Sequence, residues 1–222
     1  MNLKNEPIFL AGHNGLVGSS VLNLLKIKGY KKIKIISRNK LNLTDQEKVL
    51  KYIRRIKPSN IIICAAKVGG IKENMLYPAD FIYQNSMIQN NIIHAAYLTG
   101  VKNLIFLGSS CIYPKYSNQP IKEIELLNGK LETTNQSYAI AKIAGIEMCR
   151  AYNKQFKTNY KCLMPSNLYG PKDNYNLRSS HFFAAAIRKI YEAKVNKKSK
   201  VTFWGTGQPK REALFVYDLA EA

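Results

Sequence analysis

The stretch that decides the fold is PIFLAGHNGLVG, residues 7–18, where a short apolar run leads into Gly12, Gly15 and Gly18. A helical pattern of apolar residues follows and ends at Gly29. Glycines between a strand and a helix allow a tight turn and a close approach of the backbone to a pyrophosphate, and the helix start supplies free N–H groups. This context predicts a dinucleotide-binding turn.

Apolar runs and helical patterns alternate along the rest of the chain. Further strands are predicted over residues 32–37, 61–66, 104–110, 160–167 and 201–204, and helices over residues 45–56, 79–99, 137–156 and 182–193. The first of these helices is expected to follow a Thr44 cap. Because the strands are nearly continuous apolar runs, they suit a parallel sheet that helices cover on both faces. The sequence therefore predicts an α/β fold with a doubly wound parallel sheet of the Rossmann type.

The composition is that of a folded globular protein. The 222 residues are 46% hydrophobic and 22% charged, which excludes disordered, collagen-like and coiled-coil chains. Lys and Arg number 34 against 14 Asp and Glu, so the net charge is +20. The basic residues are scattered and form no stripe with aromatic residues, so we expect no nucleic-acid partner, although a basic RNA-binding protein stays open as an alternative. The charge also favours capture of a phosphorylated substrate.

The cysteines and histidines predict neither a metal site nor a disulfide framework. The 4 cysteines form no C-x-x-C pair and the 3 histidines are scattered, whereas zinc sites need closely spaced ligands. No apolar run approaches the ~20 residues of a membrane span, and the first residues show no signal-peptide pattern. We therefore expect a cytoplasmic protein without a metal or a membrane partner.

The end of the second predicted strand indicates which dinucleotide binds. Residues 37–40 read Ser-Arg-Asn-Lys, and no acid lies between Gly29 and Asp45. Sites for NAD usually offer an acidic side chain to the ribose hydroxyls there, whereas a cation such as Arg38 suits the 2′-phosphate of NADP. The sequence therefore predicts NADP(H), with Lys40 interpreted as a solvated surface charge.

Tyr138 and Lys142 stand four residues apart near the start of a predicted helix, so they share one helical face. A lysine cation beside a phenol favours the phenolate, and such a tyrosine can exchange a proton with a carbonyl or an alcohol near neutrality. Ser109, at the C-terminal end of a predicted strand, lies where ligands bind in such sheets and can hydrogen-bond the same oxygen. These three residues are the candidate catalytic group.

Longer strings make the resemblance to known proteins specific. They are AAKVGGI (65–71), YPADFIYQN (77–85), LGSSCIYP (107–114), SYAIAKIAG (137–145) and MPSNLYGP (164–171). With the glycine turn and the catalytic group, they make the chain resemble the short-chain dehydrogenase/reductase superfamily along its whole length and, within it, the GDP-L-fucose synthase family. That family converts GDP-4-dehydro-6-deoxy-D-mannose to GDP-L-fucose by epimerising C3 and C5 and then reducing C4 with NADPH.

The resemblance implies a role for each candidate catalytic residue. Ser109, Tyr138 and Lys142 would carry out the reduction, with Tyr138 protonating the C4 oxygen. Cys111 matches the base and His181 the acid of the epimerisation, in which protons beside the C4 ketone are removed on one face and returned on the other. A small core cysteine and a structural histidine are the competing interpretations.

The resemblance also implies binding residues. The NADP site would consist of Gly12, His13, Asn14, Gly15, Leu16, Val17, Gly18, Arg38, Leu107, Gly108, Lys142, Pro165, Ser166, Asn167, Leu168 and His181. The GDP-sugar would contact Lys189, Trp204 and Arg211. Asn14 stands where many relatives have an arginine, so one contact to the 2′-phosphate is missing and the NADP preference depends on Arg38.

Two units are predicted along the chain. Residues 1–165 would form the NADP-binding Rossmann domain, and residues 166–222 part of a substrate-binding lobe with a returning strand. The chain stops at DLAEA, where the family continues into the rest of this lobe, so we expect a truncated sequence. The long helices that hold Tyr83 and Tyr138 would form the four-helix bundle of a homodimer, as in the family.

Besides the basic RNA-binding protein, two other functions stay open. Another nucleotide-sugar epimerase or dehydratase of the superfamily would share the turn and the Tyr138–Lys142 pair, but dehydratases carry acidic residues where this chain has Cys111 and Ile112. The second is a non-catalytic NADP-binding protein, although such proteins usually lack the tyrosine or the lysine.

Overall fold

A five-stranded parallel sheet forms the centre of the computed structural model, which describes residues 3–222. Met1 and Asn2, with which the predicted first domain begins, lie outside the described residues. The strands are β1 (Ile8–Ala11), β2 (Ile33–Lys34), β3 (Asn60–Ile63), β4 (Asn103–Leu107) and β5 (Asn159–Leu163). Their order is β2-β1-β3-β4-β5, and every pair is parallel. The predicted α/β fold with a doubly wound parallel sheet is confirmed.

Helices cover both faces of this sheet. The α-helices of residues 3–222 are α1 (Leu16–Ile27), α2 (Gln46–Ile56), α3 (Ile71–Leu76), α4 (Pro78–Leu98), α5 (Gln136–Phe156), α6 (Phe182–Val195) and α7 (Val216–Glu221). One layer consists of α2, α4 and α5, with α4 in contact with both of the others. The helices α1 and α7 contact each other, and the right-handed crossover rule places α1 on the opposite face.

The strand order changes direction at β1. From β1 the chain passes through α1 to β2 on one side, and from β2 it returns through α2 to β3 on the other side. At such a point a crevice opens outside the carboxyl ends of the strands, and ligands bind in it. The segments that follow β1, β3 and β4 therefore meet at one edge, where the candidate site lies.

Apolar residues of the strands form the centre of the core. All four residues of β1 are buried, and Ile61, Ile63 and Phe106 of the neighbouring strands are each 1% exposed. Removing such a side chain from water stabilises the fold by about 1.5–3 kcal/mol. Buried residues follow one another in β1, because helices cover both faces of a parallel sheet.

A small second sheet lies beyond the central one. In it β6 (Asn167–Tyr169) pairs in parallel with β7 (Ala213–Phe215), and α6 lies between them in the chain. Directly after β7, α7 returns to α1, where Lys28 and Glu221 form an ion pair of 2.6 Å. Within residues 3–222, no helix has both the length and the apolar character that crossing a membrane requires.

Several predicted strands are shorter than expected. The run over residues 32–37 contributes only β2, and β4 ends at Leu107, so Ser109 lies beyond the strand. The run over residues 160–167 divides into β5 and β6, because Pro165 has no N–H group to donate to a strand ladder. The length of an apolar run in the sequence thus overestimates the length of the strand that pairs in the sheet.

Two further local predictions are wrong. Residues 201–204 form no strand; they precede Gly205, whose φ of +91° belongs to a loop. The cap of α2 is Asp45 rather than Thr44, since its Oδ1 accepts the N–H of Lys48 at 3.1 Å. A carboxylate also faces the positive end of the helix dipole, which favours Asp45 over the neighbouring hydroxyl.

Candidate active site

The turn between β1 and α1 leaves no room for side chains at two of its glycines. Gly12 has a φ of +88°, and a Cβ there would lie 2.5 Å from the backbone N of Ala65. A Cβ on Gly18 would lie 2.1 Å from the carbonyl O of Gly12. Gly15 caps α1 without a side-chain hydrogen bond, so the first N–H groups of the helix can bind an anion. The turn therefore fits the pyrophosphate of a dinucleotide.

His13 and Asn14 form the tip of this turn. Burial and the nearby cation of Lys172 lower the pKa of His13, so its imidazole is neutral at neutral pH. The Nδ1 of His13 is buried and has no hydrogen-bond partner among the described residues. Asn14 is exposed, so the tip of the turn carries no positive charge of its own.

The turn after β2 carries the cation predicted for the 2′-phosphate. The carbonyl O of Ser37 accepts the N–H groups of Lys40 and Leu41 at 3.0 and 3.1 Å. The Ser37 hydroxyl donates to Asn39 Oδ1 at 2.5 Å. Arg38 lies within this closed turn and is exposed. Its guanidinium is therefore accessible at the carboxyl end of the sheet.

Lys142 is a buried cation at the centre of the candidate catalytic group. Its Nζ donates to the carbonyl O of Leu107 at 2.7 Å. The same Nζ lies 4.7 Å from the ring centroid of Phe106 and 5.8 Å from that of Tyr138. Burial lowers the pKa of Lys142 to about 8, while the nearby Cys64 thiol acts in the opposite direction.

Tyr138 is held between α4 and the end of β4. Its ring meets the ring of Phe81 edge-on, with centroids 6.2 Å apart, and its side chain is hydrogen-bonded to Ser109. Burial raises the pKa of Tyr138, the Cys111 thiol raises it further, and the bond to Ser109 opposes both. The sequence predicts that Lys142 favours the phenolate, but desolvation dominates in the structure. Tyr138 is therefore a neutral phenol that can donate a proton.

Ser109 and Cys111 lie in the turn that follows β4. The Ser109 Oγ accepts the N–H of Cys111 at 3.3 Å and caps a short 3₁₀ turn over Ser110–Ile112. Cys111 is half-buried and lies close enough to Tyr138 to influence its pKa. The structure therefore brings together four of the predicted catalytic residues, which are Ser109, Cys111, Tyr138 and Lys142.

Two neighbouring segments at the carboxyl ends of β4 and β5 extend this group. The Gly108 N–H donates to the carbonyl O of Leu163 at 2.8 Å, and the Ser110 N–H donates to that of Pro165 at 3.2 Å. The predicted NADP contacts after β4 and those after β5 therefore lie side by side.

His181 belongs to a different segment, at the start of α6. It caps α6 at an exposed position, and within residues 3–222 its side chain has no hydrogen bond or ion pair with the four grouped residues. Desolvation by the surrounding chain lowers the pKa of His181, while Asp173 opposes this shift. The Gly70 N–H donates to the carbonyl O of Ser179 at 3.0 Å, which holds the loop before α6 beside the segment that follows β3.

The predicted substrate residues lie on α6 and on the loop after it. Lys189 Nζ donates to the carbonyl O of Thr202 at 3.0 Å and lies 5.5 Å from the ring centroid of Phe203. Trp204 is 80% exposed, and Arg211 donates to a neighbouring backbone carbonyl at 2.8 Å. No hydrogen bond or ring contact joins the three predicted residues in the described part of the chain.

Sequence reasoning missed three residues of α4 that support this site. Phe81, Asn85 and Gln89 are each 2% exposed or less, and they recur every four residues along one face of the helix. The signal that could have found them is the pair of amides on a face that is otherwise apolar. Cys64, beside Lys142, was also missed. No cluster of three or more metal-binding side chains occurs within residues 3–222.

Comparison with known proteins places this geometry in a family. The model of the NAD dependent epimerase/dehydratase family matches residues 8–222. The GDP-L-fucose synthase of Sinorhizobium fredii is 49% identical over 220 residues, which are 99% of this chain and 70% of that protein. This chain therefore spans about seven-tenths of the length of that relative.

Two solved structures have the same overall fold as this chain. The GDP-D-glycero-L-gluco-heptose synthase of Campylobacter jejuni, in the presence of NADPH, has a TM-score of 0.91 and 34% identity, with 100% of this chain and 73% of that chain covered. The GDP-L-fucose synthetase of Naegleria fowleri, bound to NADP, has a TM-score of 0.88 and 29% identity, with 98% and 71% covered.

Proposed function

Because the chain belongs to the NAD dependent epimerase/dehydratase family, we propose that it converts GDP-4-dehydro-6-deoxy-D-mannose to GDP-L-fucose with NADPH. One observation carries this proposal. Ser109, Cys111, Tyr138 and Lys142 lie together beyond β4, at the edge of the sheet that also holds the glycine turn. The names of the relatives support the same reaction.

In the reductive half of the reaction, Tyr138 is the proposed proton donor. When bound, NADPH supplies the hydride that C4 receives. Tyr138 gives its proton to the C4 oxygen, because burial keeps the phenol protonated. Ser109 hydrogen-bonds the phenol and can donate to the same oxygen. The carbonyl of Leu107 fixes the position of Lys142, whose positive charge lies beside the Tyr138 ring. This charge stabilises the negative charge that develops on the C4 oxygen.

The epimerising half assigns opposite roles to Cys111 and His181. A C4 ketone acidifies the hydrogens on C3 and C5, and inversion requires removal of a proton on one face and its return on the other. Cys111 is the proposed base, because it lies beside Tyr138, where the ketone oxygen would be held. His181 is the proposed acid. Its lowered pKa makes the protonated ring a stronger proton donor than a histidine with the ordinary pKa.

The binding residues follow from the same placement. We propose that the turn over residues 12–18 holds the pyrophosphate of NADP and that Arg38 pairs with the 2′-phosphate. Residues 107–108 and 165–168, together with Lys142 and His181, would contact the nicotinamide end. Lys189, Trp204 and Arg211 would contact the GDP-sugar, with two cations for the diphosphate and an indole for a flat ring.

The wider organisation predicted from the sequence is also proposed. Residues 1–165 form the NADP-binding domain and residues 166–222 part of the substrate lobe. The separation of the central sheet from the β6–β7 sheet supports this division. We propose a homodimer through α4 and α5, which is supported by exposed apolar side chains such as Tyr83 at 61%. A cytoplasmic location is proposed as well.

Deuterated water tests the function directly. The protein, given NADPH and the 4-keto GDP-sugar, is expected to oxidise NADPH and to place deuterium at C3 and C5. Cys111→Ala is expected to consume some NADPH while leaving the stereochemistry of the sugar unchanged. Cys162→Ala is the matched control, because it removes another half-buried thiol, from β5, outside the proposed site. If the unaltered protein exchanged no carbon-bound hydrogen, the epimerase assignment would fail, although a reductase could stand.

A further inference from the structure

Two amide side chains lie within the apolar layer between the sheet and the long helices. Asn85 and Gln89 are one helical turn apart on α4 and are each 2% exposed. Phe81, one turn earlier, is fully buried and meets the ring of Tyr138. One face of α4 therefore touches the catalytic group and its surroundings at three successive turns.

Asn85 attaches α4 to the segment that follows β3. Its Oδ1 accepts the N–H of Lys67 at 2.9 Å, and its Nδ2 donates to the carbonyl O of the same residue at 3.0 Å. These two hydrogen bonds fix the position of α4 relative to the carboxyl ends of the strands. Because Lys67 also pairs with Asp80 at 3.0 Å, the first turns of α4 are held at two points.

Gln89 attaches α4 to the catalytic helix. Its Nε2 donates to the carbonyl O of Ala141 at 2.5 Å, one residue before Lys142. Gly145, one turn further along α5, makes the approach possible, because a Cβ there would lie 2.8 Å from Cδ of Gln89. This bond acts on the turn of α5 that lies between Tyr138 and Lys142.

Burial of Gln89 is not explained by stability. Its Oε1 is buried without a hydrogen-bond partner in the described part of the chain, and such an atom costs about 1–3 kcal/mol. An apolar side chain of similar volume at this position would avoid that cost. A buried polar group in an apolar interface can, however, select one register of two packed helices over its alternatives.

We propose that Gln89 is a positioning residue that fixes the register of α5 against α4 and thereby holds Tyr138 and Lys142 in their catalytic places. The expected effect on kcat rests on the proposed reductase function. The expected effect on the position of Lys142 rests on the structure alone. A slip of α5 along α4 would remove Lys142 Nζ from the carbonyl of Leu107, which it meets at 2.7 Å.

Gln89→Met tests the kinetic consequence, because methionine keeps the length of the side chain and lacks the donor. We expect kcat for NADPH oxidation to fall about tenfold to a hundredfold, as small misplacements of catalytic groups do. The Kd for NADPH should change less than about twofold, since the glycine turn lies on β1 and α1. Gln84→Met is the matched control, because Gln84 is a half-buried glutamine of the same helix outside the α4–α5 hydrogen bond.

A labelling measurement tests the geometry without any sugar substrate. Acetic anhydride is applied over a range of pH, and acetylation of Lys142 is quantified by mass spectrometry of its peptide. In Gln89→Met we expect the apparent pKa of Lys142 to move toward the ordinary lysine value of about 10.4. Labelling should therefore be slower near neutral pH and should reach a higher limiting rate at high pH, because the amine is less buried. Loss of stability with unchanged kcat and an unchanged labelling profile would mean that Gln89 is only structural, and the proposal would be wrong.

The two proposals can fail separately. If the unaltered protein reduces no 4-keto GDP-sugar but Gln89→Met still alters the labelling of Lys142, the proposed function fails and the positioning role stands. If Gln89→Met does not fold, a measurement on the unaltered protein tests the positioning role instead. Its Gln89 side-chain N–H protons are expected to exchange slowly with solvent in NMR spectra, and fast exchange would overturn the inference.

Discussion

Lys142 links activity to pH at the scale of a single residue. Burial lowers the pKa of Lys142 to about 8, so the side chain loses its charge as the pH rises through that value. We expect kcat of NADPH-dependent reduction to decline over the same interval, because the charge that favours developing negative charge on the substrate oxygen disappears. A pH profile of kcat measures this decline. A profile that stays flat from about pH 7 to pH 10 would contradict it.

The same residue should make stability change in the opposite direction. An unfolded lysine has a pKa of about 10.4, so between that value and the folded value the unfolded chain binds more protons. The free energy of unfolding contributed by Lys142 therefore rises with pH over this window. Urea unfolding of the unaltered protein and of Lys142→Met, compared at several pH values, isolates the contribution, because the variant lacks the titrating group.

Arg38 should decide between the two nicotinamide dinucleotides. Arg38→Ala is expected to raise the Kd for NADPH about tenfold to a hundredfold, since a hydrogen bond to a charged group is lost, and to leave the Kd for NADH unchanged. Fluorescence titration with each coenzyme measures both constants. Lys40→Ala, two residues along the same turn, is the control and should alter neither. If Arg38→Ala raised the Kd for NADPH and for NADH equally, Arg38 would not be the residue that binds the 2′-phosphate.

Within the β1–α1 element, glycine is required at one position and tolerates replacement at another. Gly18→Ala is expected to abolish NADPH binding and to lower Tm, because the added Cβ would meet the Gly12 carbonyl at 2.1 Å. Gly15→Ala is the matched control for Tm, since the nearest protein atom to its Cβ would be 3.6 Å away. Thermal unfolding and NADPH titration of both variants give the comparison. Retained binding in Gly18→Ala would contradict the close packing of the turn.

Elements with strong local signals were predictable from the sequence. The apolar run before Gly12 and the long helical patterns ending near Gly100 and Phe156 correspond to β1, α4 and α5, because burial and helix-stopping residues are local properties. Residues 201–204 look like a strand but lack a pairing partner. Pairing depends on the tertiary neighbourhood, which a short apolar run does not contain.

Some features of the candidate site could likewise be predicted from the sequence, and others could not. The spacing of Tyr138 and Lys142 predicts a shared face, because helical geometry fixes it. The bond from Gln89 to Ala141 joins residues 52 positions apart, so only the packed fold reveals it. The raised pKa of Tyr138 was likewise unpredictable, because desolvation depends on how deeply the ring lies.

Over the whole molecule, the net charge of +20 should strengthen the binding of anionic ligands at low salt. We expect the Kd for NADPH to rise with ionic strength, and to rise more steeply than that for NADH, because the 2′-phosphate adds negative charge. Titrations from about 20 mM to about 500 mM salt, where screening becomes strong, test this. Identical salt slopes for the two coenzymes would show that the overall field does not act on the phosphate.

The proposed homodimer is also a property of the whole molecule. Tyr83 is 61% exposed on α4, and Tyr83→Glu would place a charge inside the proposed helical interface, where an unpaired charge is costly. Light scattering is expected to give twice 25.2 kDa for the unaltered chain and a single chain for the variant. A monomer in both cases would reject the interface.

The contact between α1 and α7 has a consequence for biosynthesis. The first helix leaves the ribosome early, but its covering partner is translated almost 190 residues later. At roughly 5–20 residues per second, the interval is about ten to forty seconds. During that time α1 lacks its partner α7, so the surface of α1 that α7 later contacts is exposed to chaperones and to other nascent chains.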